Sequence, residues 1–187
     1  MPRSAAETRS HVLEVASDLF YSKGIRATGI DKVAAEAGVA PTTLYRLFPS
    51  KDDLVAAYVD RAHRGVEEEA TEAMAAVAPD PRAQILALLD TIAEQIDDGY
   101  RGCALQMALA EFPDPDLPAH RNAVEGKAWV RERFGVLTEQ LDVDDPAVLA
   151  DHLSLIVDGM LAVAQSLGPD GPAKNARRLA EAILPKA

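Results

Sequence analysis

The stretch IDKVAAEAGVAPTTLYRLF, residues 30–48, decides how this chain is read. In its first half Ile30, Val33, Ala34 and Ala37 fall on one face of a helix, and Gly38 ends it. In the turn Gly38-Val39-Ala40 the glycine supplies left-handed backbone and Val39 plugs the angle between two helices. Pro41 then opens a second helix, where its missing N–H costs nothing. Leu44 and Phe48 point the same way from it, and Pro49 breaks it. The result is helix, tight turn, helix. Helical hairpins without a nucleic-acid role share that spacing, so the side chains of the second helix carry the argument. A helix-turn-helix reads duplex DNA by the N-terminal residues of its second helix in the major groove. Here that end presents Pro41, Thr42, Thr43, Tyr45 and Arg46. Threonine touches bases or phosphates, the tyrosine hydroxyl donates to phosphate, and arginine takes guanine O6 and N7 together. Thr28 and Lys51, at the starts of the flanking helices, and Lys32 complete the candidate DNA-binding set.

Outward from this motif almost everything scans as helix. Val12, Val15, Ala16, Leu19 and Phe20 recur at helical spacing until Gly24, with Lys23 in the last turn. Thr28 is read as the N-cap of the helix that starts the motif. Ser50 caps a fourth helix, with Asp53 as the reciprocal acid, and this helix runs to about Val77, where Pro79 and Pro81 end it. Further stripes follow: Ile85 to Ile96, ending near Asp98–Gly99; Cys103 to Glu111; Val124 to Leu141; Pro146 to Leu167; and Ala176 to Ile183. Pro113, Pro115 and Pro118 read as a rigid connector, and Gly168, Pro169, Gly171 and Pro172 as punctuation. The expected fold is all-α, about nine helices. A three-helix head over residues 1–50 is expected to bind DNA, and residues 51–187 form a helical body.

Charge supports the division. The 187 residues carry a net charge of −11, yet residues 1–51 are net basic. Arg3, Arg9, Lys23, Arg26, Lys32, Arg46 and Lys51 there outweigh Glu7, Glu14, Asp18, Asp31 and Glu36. A basic head on an acidic body suits one surface for an anionic partner and another kept in solution. The single cysteine, Cys103, excludes an internal disulfide and a multi-cysteine zinc module, and reads as a small buried hydrophobe. No apolar run approaches a membrane span, the longest being broken by Asp158 and Gly159, and the N-terminus, with Arg3 and Arg9 but no apolar h-region, is not expected to act as a signal peptide. A cytoplasmic protein with no membrane partner is expected. His63 and Glu67 have helical pair spacing, but two groups do not make a metal site. No phosphate-binding glycine loop or nucleophile elbow occurs. No catalytic residue, metal or cofactor is assigned, and an enzyme is not expected.

The segment from Arg9 to Leu54 resembles the DNA-binding region of the TetR/AcrR family of transcriptional regulators. The residues that carry the resemblance are Ala16, Leu19-Phe20, Lys23-Gly24, Thr28 and Val33-Ala34, then Ala37-Gly38-Val39, Thr43-Leu44-Tyr45, Phe48-Pro49-Ser50-Lys51 and Leu54. Gly102-Cys103 and Glu111-Phe112-Pro113-Asp114-Pro115 also resemble a pattern of actinobacterial-type members. The resemblance implies a homodimer on a palindromic double-stranded DNA operator, usually a repressor released by a small molecule, with residues 51–187 as the ligand-binding and dimerisation body. It matches Tyr45 and Lys51 to phosphate contacts, and Thr42, Thr43 and Arg46 to groove-facing positions. Two departures stand out. Leu47 replaces the polar residue common before the motif's phenylalanine, which places more weight on Arg46 and Lys51. Gly29 replaces a larger residue.

The helix from Pro146 to Leu167 is apolar nearly all round, so one face can serve the protomer and another a partner. Leu149, Leu153, Ile156, Val157, Leu161, Leu179 and Ile183 are the candidate dimer residues, forming a four-helix interface with the last helix of each subunit. Leu89, Met107, Trp129, Phe134 and Met160 are candidate apolar lining for a lipophilic ligand, with Cys103, Glu111, Arg133 and Asp158 as polar anchors. Taken singly, each also reads as an ordinary core or surface residue. Ligand binding is expected to favour a dimer whose reading heads are wrongly spaced, with a coupling of about 1–3 kcal/mol. The alternative is an all-helical small-molecule binding protein without DNA readout, which salt-dependent, sequence-selective duplex binding would exclude.

Overall fold

The computed structural model describes residues 4–186; Arg3, counted above among the basic groups, lies outside them. The described residues form nine α-helices and no strand. They are α1 (Ala5–Lys23), α2 (Ile30–Glu36), α3 (Pro41–Leu47), α4 (Lys51–Ala76), α5 (Pro81–Glu94), α6 (Ala104–Glu111), α7 (Pro118–Thr138), α8 (Pro146–Leu167) and α9 (Ala176–Ile183). A short 3-10 turn, Pro172–Asn175, leads into α9. The chain is all-α, as its periodicity predicted.

Local chemistry explains the helix boundaries. Ser4 and Glu7 cap α1 reciprocally, with the Glu7 N–H on Ser4 Oγ at 3.2 Å and the Ser4 N–H on Glu7 Oε2 at 2.7 Å. At the start of α4 the Asp53 N–H donates to Ser50 Oγ at 3.1 Å, and that hydroxyl donates to Asp53 Oδ2 at 2.7 Å. The expected reciprocal acid is therefore present, but it takes the serine hydroxyl rather than the cap N–H. Asp80 and Asp145 cap α5 and α8, each directly before a proline in the first turn. Helix α5 stops at Glu94, short of the expected Asp98–Gly99, and Asp97 Oδ1 accepts the Gly99 N–H at 2.8 Å. That local turn competes with the helical bond pattern.

Two compact units divide the chain, the first holding residues up to 62 and 104–124. In it α1 packs on α2 and α2 on α3. Val12, Ala16, Phe20, Ile25, Val33, Leu44, Phe48 and Leu54 are buried there. Phe20 meets Tyr58 edge-on at 5.6 Å between ring centroids. Arg9 lays its guanidinium 4.5 Å from the centroid of the Phe48 ring, covering the end of α3.

The second unit holds residues 63–103 and 125 onward. Its core gathers Ile85, Leu88 and Leu89 of α5, Phe134 and Leu137 of α7, and Leu149, Leu153, Val157, Met160 and Leu161 of α8. Ala176 and Ala180 of α9 close it. Arg177 ties α9 to α5 by pairing with Asp90, and Arg82 Nε donates to the Pro185 carbonyl at 3.2 Å. Burial pushes the Asp90 carboxyl above its ordinary range, against the pull of Arg177. By length and composition α8 is a candidate membrane span among the described residues, contrary to the sequence expectation. The run is interrupted by Asp158 and Gly159, but the apolar residues on either side outweigh them over the whole helix. Seven of its apolar side chains (Leu149, Ala150, Leu153, Val157, Met160, Leu161 and Ala164) are buried inside the protein.

Gly38 sits at φ +65°, the left-handed region the tight turn was expected to need. No atom lies within 4 Å of an added Cβ there, so only backbone strain opposes substitution. Gly38→Ala is expected to destabilise the protein by about 1 kcal/mol. Urea unfolding would show it as a lower midpoint at unchanged slope.

Candidate nucleic-acid interface

The short α3 has one buried anchor, Leu44, and an opposite face of polar groups. Thr42, Tyr45 and Arg46 are exposed at helical spacing and share that face, with Tyr45 49% accessible despite its ring. Pro41 is exposed at the first turn, Thr43 is half-buried, and Lys32 is exposed on α2. His11, assigned no role from the sequence, steadies the turn: its Nε2 lies 3.2 Å from the Ala37 carbonyl oxygen. Nothing in the spacing of α1 marks this contact, because the two residues meet only when α1 packs on α2.

Two expectations at the flanks need correction or detail. Thr28 is fully buried and does not cap α2, whose N-cap is Gly29 without a side-chain bond. The Thr28 hydroxyl donates instead to the Gly24 carbonyl at 2.9 Å, locking the α1–α2 loop from within. Its side chain is therefore not available to a phosphate. Lys51, half-buried at the start of α4, donates from Nζ to the Arg26 carbonyl at 3.4 Å.

The candidate ligand residues are divided between the units. Leu89, Phe134 and Met160 are core residues of the second unit, and Cys103 and Trp129 pack against that core. The Trp129 ring lies 5.9 Å from His63, edge-on, and 5.6 Å from the exposed Arg133 guanidinium. Its Nε1 is buried without a hydrogen-bond partner among the described residues. His63 in turn reaches Glu67 at 3.4 Å, and no cluster among the described residues could hold a metal. Asp158, read as a polar anchor, pairs with Lys127. Met107 and Glu111 belong to the first unit. Glu111 is not a free anchor either, since its carboxylate accepts the main-chain N–H groups of Arg26 at 2.9 Å and Ile25 at 3.4 Å.

The candidate dimer residues also separate. Leu149, Leu153, Val157 and Leu161 are buried in the protomer's own core. Ile156 and Ile183 are half-buried, and Leu179 is 54% exposed. On the outward face of α8 Ile156 is joined by Val163 and by Leu155 and Gly159, the last two of which sequence reasoning missed. With Pro172, Ala176 and Leu179 they line an open apolar groove of about 550 Å³ between α8 and α9. Leu155 is 68% exposed on its edge.

Comparison with known proteins agrees with these features. Residues 12–58, from α1 into α4, match the profile of the bacterial regulatory proteins of the tetR family. An HTH-type transcriptional regulator of Mycobacterium bovis is 34% identical over 186 residues, covering 90% of this chain and 94% of that protein. The HTH-type transcriptional activator FasR of Mycolicibacterium smegmatis is 33% identical over 164 residues, 88% of this chain and 71% of that protein. A crystal structure of a TetR-family transcriptional regulator from Streptomyces coelicolor superposes with a TM-score of 0.88 at 35% identity, covering 95% of this chain and 94% of that one. A helix-turn-helix with this exposed face, continued by a body that matches full-length relatives, makes the chain a member of the TetR family of DNA-binding transcriptional regulators.

Proposed function

We propose that this regulator is a repressor that binds a palindromic operator as a homodimer and leaves it when a small lipophilic molecule binds. Residues 1–50 read DNA in this account, and residues 51–187 hold the effector and the partner subunit. The observation that carries it is the uncovered apolar groove of α8 and α9, with Leu155 and Leu179 exposed on a chain that also presents a DNA-reading face. Large exposed leucines around one groove favour association over solvent. A two-fold axis through such a patch buries it against itself and pairs two reading heads. Thr42, Thr43 and Arg46 would then face the major groove, with Pro41 at its entry and Tyr45, Lys32 and Lys51 on phosphates. The effector would sit among the apolar residues near Trp129 and Cys103. It would act by the different affinity it has for the DNA-competent and DNA-incompetent dimers. The cytoplasm, where the chromosome lies, is the place of action. FasR carries the name of an activator. Repression needs only that the operator be occupied, with no further contact to the transcription machinery.

Selection from random duplex DNA at low and moderate salt tests the reading. Enrichment of one inverted repeat is the expected result. A folded dimer that enriches nothing at either salt would return the chain to a small-molecule binding role without DNA readout. Transcription from the selected sequence in a purified system then decides the sign.

A further inference from the structure

The α1–α2 loop is held from outside the helix-turn-helix. Glu111, the last residue of α6, accepts the Arg26 N–H on Oε2 at 2.9 Å and the Ile25 N–H on Oε1 at 3.4 Å. Arg26 answers through its side chain, with Nε donating to the Glu111 main-chain carbonyl at 3.1 Å and the guanidinium 5.9 Å from the Phe112 ring centroid. The carbonyl of the same Arg26 accepts from Lys51 Nζ at 3.4 Å. Both main-chain polar groups of residue 26 are thus used, one by Glu111 and one by Lys51. A carboxylate on two amide donors makes stronger bonds than a neutral acceptor would.

From this geometry we propose that Glu111 is a positioning residue for DNA binding, acting through the Arg26 carbonyl on Lys51. A lysine ammonium has three donors. One on Arg26 fixes the direction of the side chain and leaves two for a phosphate. The long lysine side chain then loses less rotamer freedom when DNA arrives. The inference rests on the reading of Lys51 as a phosphate contact, and it adds a residue of α6 to the machinery of the head.

The test uses the full-length protein and a duplex of random sequence, since a phosphate contact carries no sequence information. Binding is measured across a salt series for wild type, Lys51→Ala, Glu111→Gln and the double variant. Lys51→Ala is expected to weaken binding by about tenfold and to flatten the salt slope by about 0.9 per lost contact. Glu111→Gln is expected to weaken binding by roughly three- to tenfold, to flatten the slope in the same sense, and to add little in the double variant. The sign is diagnostic. Removal of a negative charge strengthens DNA binding if only the overall field matters, whereas loss of positioning weakens it. Unchanged or tighter binding by Glu111→Gln, with Lys51→Ala weakened, overturns the proposal and leaves the phosphate reading intact. Wild-type affinity and slope for Lys51→Ala overturn the phosphate reading itself. Equal losses from Glu111→Gln in the presence and absence of Lys51 overturn the route through Lys51. Arg26→Ala, which keeps both main-chain N–H bonds, guards against a folding defect: it is expected to bind more tightly than Glu111→Gln at matched melting temperature. The reverse order counts against the proposal.

Discussion

Leu155→Asp is expected to turn the proposed dimer into a monomer and to lower operator affinity by about a hundredfold or more. The side chain is 68% exposed on the single chain, so the aspartate is solvated there and the protomer keeps its fold. In a two-fold interface the same carboxylate would be buried beside its symmetry mate. Each ion then loses several kcal/mol of solvation with no partner of opposite charge. The operator loss follows because two linked heads bind successive half-sites at high effective concentration, and a lone head does not. Sedimentation reads the mass, and circular dichroism checks that helix content is unchanged. Val124→Asp, at an exposed valine outside the groove, should remain dimeric. A Leu155→Asp protein that sediments with the wild-type mass would remove the groove from the interface.

The second large effect concerns the head. Phe48→Ala is expected to destabilise the protein by about 3–5 kcal/mol, from the lost burial of the ring and the cavity it leaves. Phe48 is 1% exposed and closes α3, and its ring also supports the Arg9 guanidinium. For a chain of this size that corresponds to a fall in melting temperature of roughly 6–20 °C. DNA binding should fail before the bulk of the helix melts, because α3 has only seven residues and Leu44 as its sole buried anchor. Such a helix is not stable alone. A melting curve that overlays wild type would show that the site relaxes without cost and that the packing account of the head is wrong.

The helix-turn-helix was legible because its signals are local. Gly38 at positive φ and Pro41 at the first turn of α3 act through a few neighbouring atoms, and periodicity alone predicted Leu44 and Phe48 inside. Prolines elsewhere were ambiguous. Pro81 and Pro118 read as terminators or connectors, yet each opens a helix. A missing N–H suits both the end of one helix and the first turn of the next, so residue type alone does not choose. On α8 the sequence gives apolar residues all round, and nothing local distinguishes the face turned to the protomer's own α5 and α7 from the face left open. Leu153 and Leu155 differ only by the packing of distant helices. Glu111 shows the same limit for polar groups, because its partners Ile25 and Arg26 lie far away along the chain. What was hidden in each case is a contact between residues remote in sequence.

The chain has one tryptophan. Trp129 therefore makes the second unit optically addressable without a label. Its indole meets His63 of α4 and Arg133 of its own helix, while Nε1 is shielded from solvent. A shielded indole emits toward the blue, and water reaching Nε1 moves the emission to the red. Any compound that shifts α4 against α7 at this point changes the colour or the intensity of that single emitter. Candidate effectors can thus be screened on the native protein before the operator is known.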